Sequence, residues 1–373
     1  MNTDMILQGD ERAALALRAL YHSYGYTQYK MNKFEEYDLY VQNKDFLISD
    51  NVITFTDTSG KLLALKPDVT LSIIKNGRRT GGVEKVYYQE NVYRVSGRTH
   101  AFREIMQVGL ECIGEVDAYC LFEVLTLAAA SLAAISEHAV LDVSHLGIVS
   151  AVLDTLSVTP DTRRALLSCI GEKNLHEMTS IATAAGVDAD KIALLGQLIS
   201  SYGAPGDVLP VLLPLLRGVV ADGILTEFSD LLTALAASPA GEIVRVDFSV
   251  VGDIGYYNGL VFKGFVAGVP ESLLSGGEYN GLMRKMGKSE NAIGFAVYLD
   301  ALERLHETDM SFDVDTVVLY DDGVTPATLA EAVAALRASG KSTLALRTLP
   351  EKLRYRTALI FDGKEGTLRE ANA

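Results

Sequence analysis

The stretch Gly252-Asp-Ile-Gly-Tyr-Tyr-Asn-Gly259, with Ser275-Gly-Gly-Glu-Tyr-Asn-Gly281 and Gly294-Phe-Ala-Val-Tyr-Leu-Asp-Ala-Leu-Glu-Arg304 after it, decides the fold of this chain. These blocks combine glycines with tyrosines. Glycine lets backbone and ligand approach closely, and a tyrosine ring gives a flat wall with a polar tip. Taken singly, such tyrosines are more often core packing than ligand contacts, so the rest of the chain must decide between the two.

The balance of charges disfavours nucleic acid as a partner. The 373 residues carry 33 Lys and Arg against 48 Asp and Glu, a formal net charge of −15. Attraction to phosphates drives most nucleic-acid binding and requires the opposite sign. The basic groups at Arg78-Arg79 and at Lys352, Arg354 and Arg356 are best explained as solvated surface. We therefore expect no nucleic-acid partner.

The cysteine, histidine and hydropathy patterns predict a cytoplasmic protein without a metal or a membrane segment. The odd set Cys112, Cys120 and Cys169 argues against a disulfide framework and predicts buried, reduced thiols. The histidines show no metal-binding spacing. An acidic N-terminus is unlike a signal peptide, and the longest apolar stretch, Val124–Ile135, is too short to span a membrane.

The order of the predicted elements indicates an α+β domain. Residues 10–24 have helical spacing, and residues 52–65 resemble a β-hairpin. Residues 83–93 and 105–113 are rich in Val, Ile and Tyr and predict strands, and residues 117–137 predict a buried helix. Runs of strands separate from helices are typical of an antiparallel sheet flanked by helices rather than of a βαβ series.

Two further segments differ from this pattern. Residues 160–240 are rich in Leu and Ala with helical periodicity and no clear strand, which predicts a helical insertion. Residues 243–251 predict a strand, with residues 259–267 as its partner. Residues 314–373 alternate strand and helix and predict a small C-terminal α/β domain. The predicted organisation is thus a ligand-binding domain over residues 1–305, which contains the insertion, and this C-terminal domain.

The opening blocks resemble the histidine-recognition and third class II motifs of histidyl-tRNA synthetases. In that family they read Arg-Gly-Leu-Asp-Tyr-Tyr-Thr-Gly, Gly-Gly-Arg-Tyr-Asp-Gly and Gly-Phe-Ala-Met-Gly-Leu-Glu-Arg. Tyr24-Gly-Tyr26 through Phe34 resembles the first class II motif, with Asn32 at the family's proline. Leu63-Ala-Leu-Lys-Pro-Asp-Val-Thr70 is similar to Leu-x-Leu-Arg-Pro-Glu-x-Thr, and Tyr93–Glu111 resembles the second motif. The resemblance implies a class II aminoacyl-tRNA synthetase-like antiparallel sheet flanked by helices.

The resemblance also implies a histidine pocket. The positions that match the family's histidine-binding residues are Asp68, Thr70, Gln107, Glu111, Tyr256, Tyr257 and Tyr279. Carboxylates at 68 and 111 suit a ligand ammonium, and Glu111 with a tyrosine hydroxyl can hold both nitrogens of an imidazole ring. Arg94 and Arg98 are candidate anion contacts. Taken alone, Asp68 and Glu111 would be interpreted as surface carboxylates.

The groups that handle ATP in the synthetases are missing at the matching positions. The arginine of the histidine motif corresponds to Gly252, the adenine-binding glutamate of the second motif to Ser96, and the Glu-Arg of the third motif to Asp300-Ala301. A Glu303-Arg304 pair lies one helical turn later, in a register that requires a local deletion. Arginines neutralise ATP and the charge that develops in the adenylate. We therefore expect no catalytic residues and no cofactor.

A family of synthetase paralogues, the regulatory subunits of ATP phosphoribosyltransferase, is similar in these respects. Membership would imply a non-catalytic chain that works with a short catalytic subunit in the first step of histidine biosynthesis. It would also imply sensing of L-histidine for feedback inhibition, and a homodimer within a hetero-oligomer. Two alternatives stay open: a divergent histidyl-tRNA synthetase, and a paralogue that activates an amino acid for another acceptor. Both require ATP, so the missing groups weigh against them.

Overall fold

The computed structural model of the chain describes residues 9–43, 52–77, 82–95, 101–251, 256–304 and 312–371. The chain divides into two compact units. One unit spans Ala13–Leu302, and the other takes in the residues from Glu303 onward together with those before Ala13. All the described residues predicted to surround a ligand belong to the first unit.

A large sheet forms the centre of the first unit. Its strands are β1 (Thr27–Gln28), β5 (Val83–Val95), β6 (Phe102–Gly114), β7 (Ala139–His145), β8 (Tyr202–Gly203), β9 (Val244–Asp247), β10 (Leu260–Val266), β11 (Leu274–Glu278) and β12 (Asn291–Tyr298). They are hydrogen-bonded in the order β1-β5-β6-β12-β11-β10-β7-β9-β8. Every pair from β5 to β7 in that order is antiparallel, whereas β1 with β5 and β7 with β9 are parallel. The predicted antiparallel sheet is therefore present.

The long hairpin of β5 and β6 confirms two predicted strands. Its register runs from Val83 opposite Gly114 to Val95 opposite Phe102, slightly longer at both ends than the sequence pattern indicates. Near its centre Tyr88 lies opposite Gly109, and a Cβ atom on that glycine would approach the Tyr88 hydroxyl to 2.5 Å. The glycine therefore makes room for the tyrosine ring on one face of the sheet.

Helix α4 (Ala118–Ala133) packs on the opposite face of the sheet and confirms the predicted buried helix. The Asp117 side chain accepts a hydrogen bond from the Cys120 backbone N–H at 2.9 Å, which satisfies a donor of the first turn. Leu132 fills the space above Gly264, where a Cβ atom would clash with it at 2.6 Å. The three cysteines are buried and free, as the sequence predicts.

The predicted pairing of residues 243–251 with residues 259–267 is wrong. Strand β7 lies between the two observed strands, because β10 pairs with β7 and β11 while β9 pairs in parallel with β7. The sequence pattern predicts no strand at β7, since its short apolar run follows soon after α4. Strands that are close in sequence usually pair, and here a strand from far upstream intervenes.

The segment after β7 is helical. Its helices are α5 (Leu146–Asp154), α6 (Pro160–Gly171), α7 (Leu175–Ala184), α8 (Ala189–Ser200), α9 (Pro205–Leu216) and α10 (Asp222–Ala236). From residue 160 onward it matches the predicted insertion over residues 160–240, whereas α5 was not predicted. Thr159 caps α6 by accepting from the Thr162 N–H at 3.2 Å, with Pro160 at the first helical position. The expectation of no strand here is wrong at β8, which pairs with β9. Two residues are too few to show a period.

A small sheet and short helices complete the first unit. The strands β2 (Phe34–Glu36), β3 (Thr54–Thr56) and β4 (Leu62–Leu65) are arranged as β2-β4-β3, and β3 with β4 forms the predicted hairpin. The helices are α2 (Tyr37–Val41), α3 (Thr70–Asn76), α11 (Asn280–Lys285) and, from Ala13 onward, α1 (Gly9–Ser23). Strand β4 leads into α3 through a short segment that carries Asp68.

The C-terminal unit is an α/β unit. It contains β13 (Val314–Leu319), α12 (Pro326–Ala338), β14 (Thr343–Leu346), β15 (Tyr355–Asp362) and β16 (Thr367–Glu370). The sheet order is β14-β13-β15-β16, with β13 parallel to both of its neighbours. Val318, Val333 and Phe361 form its small core. Strand β16 is an addition to the predicted elements.

Across the described part of the chain, no helix combines the length and the apolar character that crossing a bilayer requires. The same residues contain no group of three or more His, Cys, Asp or Glu side chains placed to hold a metal ion.

Candidate functional site

The described residues of the predicted pocket all line one cavity. They are Asp68, Thr70, Arg94, Gln107, Glu111, Tyr256, Tyr257 and Tyr279. The cavity lies on the face of the large sheet opposite α4 and has a volume of about 30 Å³, so an amino acid can enter only when the lining side chains move apart. Arg98 and Gly252 lie outside the described residues, so the expectations for them stay predictions.

Strands β6 and β12 form the floor of the cavity. Glu111 lies opposite Gly294 at one end, and Gln107 lies opposite Tyr298 at the other. Four residues of strand separate the two ends, which corresponds to roughly 13 Å. The small Ala296 lines the cavity between them. The floor thus places an acid at one end and an amide at the other, with the Tyr88 ring over Gly109 between them.

Glu111 is the most deeply buried acid of the cavity. Its side chain is 2% exposed, so it is not the surface carboxylate that the residue alone would suggest. The Thr70 hydroxyl donates to Oε1 at 2.7 Å, and the Tyr279 hydroxyl donates to Oε2 at 2.6 Å. Burial raises the pKa of Glu111 to about 8, although these two hydroxyls act in the opposite direction. A cation beside Glu111 would favour the ionised carboxylate.

Asp68 is a second buried acid, 7% exposed. Its Oδ1 accepts a hydrogen bond from the Leu71 N–H at 2.9 Å, which fixes it at the start of α3. Burial raises the pKa of Asp68, opposed by that hydrogen bond and by Arg94. Arg94 is itself anchored, because its Nε donates to the Pro67 carbonyl at 2.9 Å. The cavity therefore combines two buried acids with one positioned guanidinium.

Three of the predicted tyrosines form a connected aromatic wall. The rings of Tyr256 and Tyr257 meet edge to face with centroids 4.8 Å apart, and Tyr256 lies 6.0 Å from Tyr279. Burial raises the pKa of Tyr256 and Tyr279 well above the ordinary value, so both stay neutral hydroxyls at physiological pH. Neutral phenols can donate to one ligand atom while accepting from another.

Gln107 adds an unsatisfied donor. It is 3% exposed, and its Nε2 atom is buried without a hydrogen-bond partner in the protein. A buried amide donor without a partner is costly, by about 1–3 kcal/mol. A ligand acceptor at this end of the floor would remove that cost. Gln107 thus complements the acids, which need donors from a ligand.

Glycines at the strand crossings make space for these side chains. Gly277, Gly294 and Glu111 lie in one row across β11, β12 and β6. A Cβ atom on Gly294 would meet Glu111 Oε2 at 1.8 Å, and one on Gly277 would meet the Tyr257 ring at 2.8 Å. The close approach at Gly277 expected from the sequence is thus to a pocket side chain, whereas Gly294 has no such role in the sequence interpretation.

Substituting Gly294 by alanine should disrupt the pocket. The added methyl group would displace the Glu111 carboxylate from its Tyr279 hydrogen bond, and overpacking of this kind costs about 1–3 kcal/mol of stability. We expect a lower midpoint of thermal unfolding and loss of ligand binding. Gly223→Ala in α10, where a Cβ atom has open space, is the matched control. Equal stability and ligand affinity in the two variants would contradict the assigned role of Gly294.

Sequence reasoning missed six lining residues, which are Tyr88, Ser275, Gly294, Phe295, Ala296 and Tyr298. Tyr88 lies in a strand whose other tyrosines also look like core residues, so nothing in the sequence distinguishes it. Tyr298 carries a usable signal. It occupies the second glycine position of the family's third motif, where a bulky residue changes the space available.

Of the positions where the ATP-handling groups of the synthetases are replaced, Asp300 and Ala301 lie among the described residues. Ala301, at the family's third-motif arginine, lies in a 3-10 helix that spans Leu299–Arg304. Its neighbour Asp300 forms a salt bridge with Arg103 of β6, with Nη2 and Oδ2 3.0 Å apart. The segment that follows β12 is therefore held near the second-motif hairpin.

A model of one known family matches most of the chain. The family is described as histidyl-tRNA synthetase, and the match covers residues 8–302. The chain belongs to this family. A solved structure from Bacillus halodurans, described as an ATP phosphoribosyltransferase regulatory subunit/histidyl-tRNA synthetase, has a TM-score of 0.76 at 22% identity, covering 94% of this chain and 93% of that one. The class II synthetase-like α+β fold implied by the motifs is confirmed.

Within the family, curated relatives include regulatory subunits. The chain is 26% identical over 289 residues to the ATP phosphoribosyltransferase regulatory subunit of Oceanobacillus iheyensis, covering 76% of this chain and 70% of that one. A chain of the ATP phosphoribosyl transferase complex from Thermotoga maritima has a TM-score of 0.62 at 19% identity, covering 78% of this chain and 97% of that one. The resemblance to the regulatory-subunit family is thereby confirmed.

Proposed function

We propose that the chain is a regulatory subunit of ATP phosphoribosyltransferase that performs no catalysis itself. It activates a separate, short catalytic subunit in the first step of histidine biosynthesis and senses L-histidine for feedback inhibition. The observation that carries the proposal is Glu111, a buried carboxylate held by two hydroxyls inside a cavity lined by the family's histidine-binding positions. Two observations support a binding role over a catalytic one: the relatives are named as regulatory subunits, and Ala301 stands where the synthetases have an arginine.

L-Histidine suits the cavity chemically. Its ammonium group can lie between the two buried acids, Asp68 and Glu111, where charge-assisted hydrogen bonds are strongest. Its imidazole ring has one donor and one acceptor when neutral, which the tyrosine hydroxyls can match. Its carboxylate then lies toward Gln107 and Arg94, which supply donor groups. In this arrangement every polar group of the ligand has a partner of complementary character.

The proposed setting is a cytoplasmic hetero-oligomer without nucleic acid or membrane. Relatives are named as the regulatory subunit of a transferase, which supports the existence of a separate catalytic partner chain. The described residues retain the first-motif helix and its turn at Gly25, through which class II domains usually pair. We expect a homodimer of this chain inside the assembly. Sedimentation at micromolar concentration checks this, and a monomer throughout that range would contradict it.

Calorimetry with L-histidine tests the proposed function directly. We expect saturable binding to the isolated chain, and inhibition of the transferase when the chain is combined with its catalytic subunit. D-Histidine and L-lysine serve as control ligands with the same ammonium group. Absence of histidine binding both to the isolated chain and to the complex would overturn the proposal.

Binding of histidine should be thermodynamically coupled to binding of the transferase substrates. A ligand shifts an equilibrium only by binding two states unequally, and the coupling is reciprocal. If histidine favours a less active form of the complex, phosphoribosyl pyrophosphate with ATP should weaken histidine binding, with a coupling of typically about 5- to 150-fold. Histidine titration of the complex with and without these substrates measures the factor. Equal dissociation constants alongside full inhibition would confine the effect to the catalytic step.

A further inference from the structure

The two ends of the cavity differ in exposure as well as in chemistry. Glu111, at one end, is almost completely buried. At the other end Gln107 is buried, but Tyr298 and Arg94 are partly exposed and line the same cavity. Between them the Tyr88 ring lies over Gly109, and on β12 the small Ala296 is followed by Tyr298, whose ring is the next side chain on this face. The size of the residue at position 298 therefore determines how far the cavity continues along β12.

The Tyr298 side chain lines the cavity at the end of β12. Its backbone N–H donates to the Leu273 carbonyl at 2.8 Å, which fixes the base of the side chain. Tyr88 and Tyr298 line the same cavity, from β5 and β12. Tyr88 is 2% exposed. Tyr298 is thus a partly exposed member of a cavity lining whose neighbour Tyr88 is buried.

We propose that Tyr298 sets the size limit of the ligand: its ring closes the partly exposed end of the cavity, so that a free amino acid fits and one with a bulky carboxyl substituent does not. The inference deepens the proposed function and rests on it. With the ammonium group held at Asp68 and Glu111, the carboxyl group points along the floor toward Tyr298. Anything attached to that carboxyl group meets the phenol ring.

The sequence agrees with this assignment. The third motif of the synthetases has a glycine where this chain has Tyr298, so a side chain stands where the family's motif has none. The Tyr298 ring would clash only with a ligand that carries a bulky group on its carboxyl carbon, because free histidine does not extend as far as the ring. Tyr298 is therefore expected to affect selection among ligands much more than affinity for histidine.

The test compares a bulky and a small carboxyl derivative on the full chain. L-Histidine β-naphthylamide carries a large group on the carboxyl carbon, and L-histidinamide has the same loss of charge without the bulk. We expect the wild-type chain to bind the naphthylamide roughly ten- to a hundredfold more weakly than histidinamide by calorimetry. Tyr298→Ala should reduce that ratio to within about threefold while leaving histidine affinity within about tenfold.

Two controls separate the ring from other effects. Tyr298→Phe keeps the ring without the hydroxyl and should exclude the naphthylamide as the wild-type chain does. Tyr119→Ala changes an exposed tyrosine of α4 and should alter nothing. If Tyr298→Ala does not fold, the ratio of naphthylamide to histidinamide affinity is compared between the wild-type chain and Tyr298→Leu, which also removes the ring.

The possible outcomes distinguish the inference from the function beneath it. Similar affinity of the wild-type chain for both derivatives, or unchanged exclusion in folded Tyr298→Ala, would overturn the size limit while histidine binding stands. If the wild-type chain binds neither histidine nor histidinamide, alone or in the complex, both the proposed function and this inference are overturned.

Discussion

Purified protein incubated with L-histidine, ATP and labelled pyrophosphate should show no exchange of label into ATP above background. Adenylation needs cationic donors at the charge that develops on the phosphate, and removing one such donor typically costs about 10²–10³ in rate. This chain has Ala301 and Gly252 where the family has arginines. Loss of both should reduce exchange by on the order of 10⁴–10⁶, because the two contributions are at separate positions.

The structure around Ala301 gives this expectation a local basis. Asp300 stands where the family's third motif has a glutamate. It forms a salt bridge with Arg103, near the start of β6. That arginine is 49% exposed and already has a carboxylate partner, so it is a poor substitute for a dedicated phosphate ligand. An active histidyl-tRNA synthetase assayed in parallel is the positive control. Exchange that depends on both histidine and ATP would refute the regulatory interpretation and favour a divergent synthetase or an amino-acid-activating paralogue.

The order of the family's motifs along the sequence predicted the fold and which residues line the site. It predicted less well how buried each of those residues is. Asp68 and Glu111 were placed by their position in the family's motifs, and alone they resemble surface acids. Their burial depends on partners far along the chain. Glu111 is enclosed by Tyr279 and faces Gly294, and these contacts follow from the strand order, which no local pattern encodes.

The strand order also explains the main error of prediction. Residues 243–251 and 259–267 both have strand patterns, and proximity in sequence favours a hairpin. The hairpin does not form because β7 occupies the place between them, pairing with β10 over all seven of its residues. Local periodicity can identify a strand, but which edge it joins depends on the packing of the whole sheet.

Replacing Glu111 by glutamine should weaken histidine binding by roughly ten- to a hundredfold at pH 8. The substitution keeps the shape of the side chain and removes the charge, and a hydrogen bond to a charged group is worth about 1.5–3 kcal/mol. Calorimetry at fixed ionic strength measures the change. Glu104→Gln, on the same strand but exposed, is the matched control. Unchanged affinity in folded Glu111→Gln would contradict the assignment of this carboxylate to the ligand.

The same substitution should change how stability depends on pH. Folded Glu111 keeps its proton until its pKa of about 8, whereas the unfolded chain loses it near the ordinary value of 4.5. Its contribution is therefore fully present below that ordinary value and is lost as the pH rises toward 8. Glu111→Gln cannot titrate and should gain stability relative to the wild-type chain between about pH 5 and pH 8. Denaturant unfolding at both pH values checks this, and a parallel pH dependence of the two proteins would contradict it.

Histidine affinity of the wild-type chain should rise over the pH range in which the empty pocket holds Glu111 protonated. A bound cationic group favours the ionised carboxylate, so binding releases a proton below the raised pKa of about 8. The linkage predicts up to about tenfold higher affinity per pH unit between pH 6 and pH 8, with a plateau above. The imidazole of the free ligand also titrates in this range, and it affects wild type and Glu111→Gln equally. The ratio of their dissociation constants therefore isolates Glu111, and a ratio that stays constant from pH 6 to about pH 8 would show that the ligand does not ionise this carboxylate.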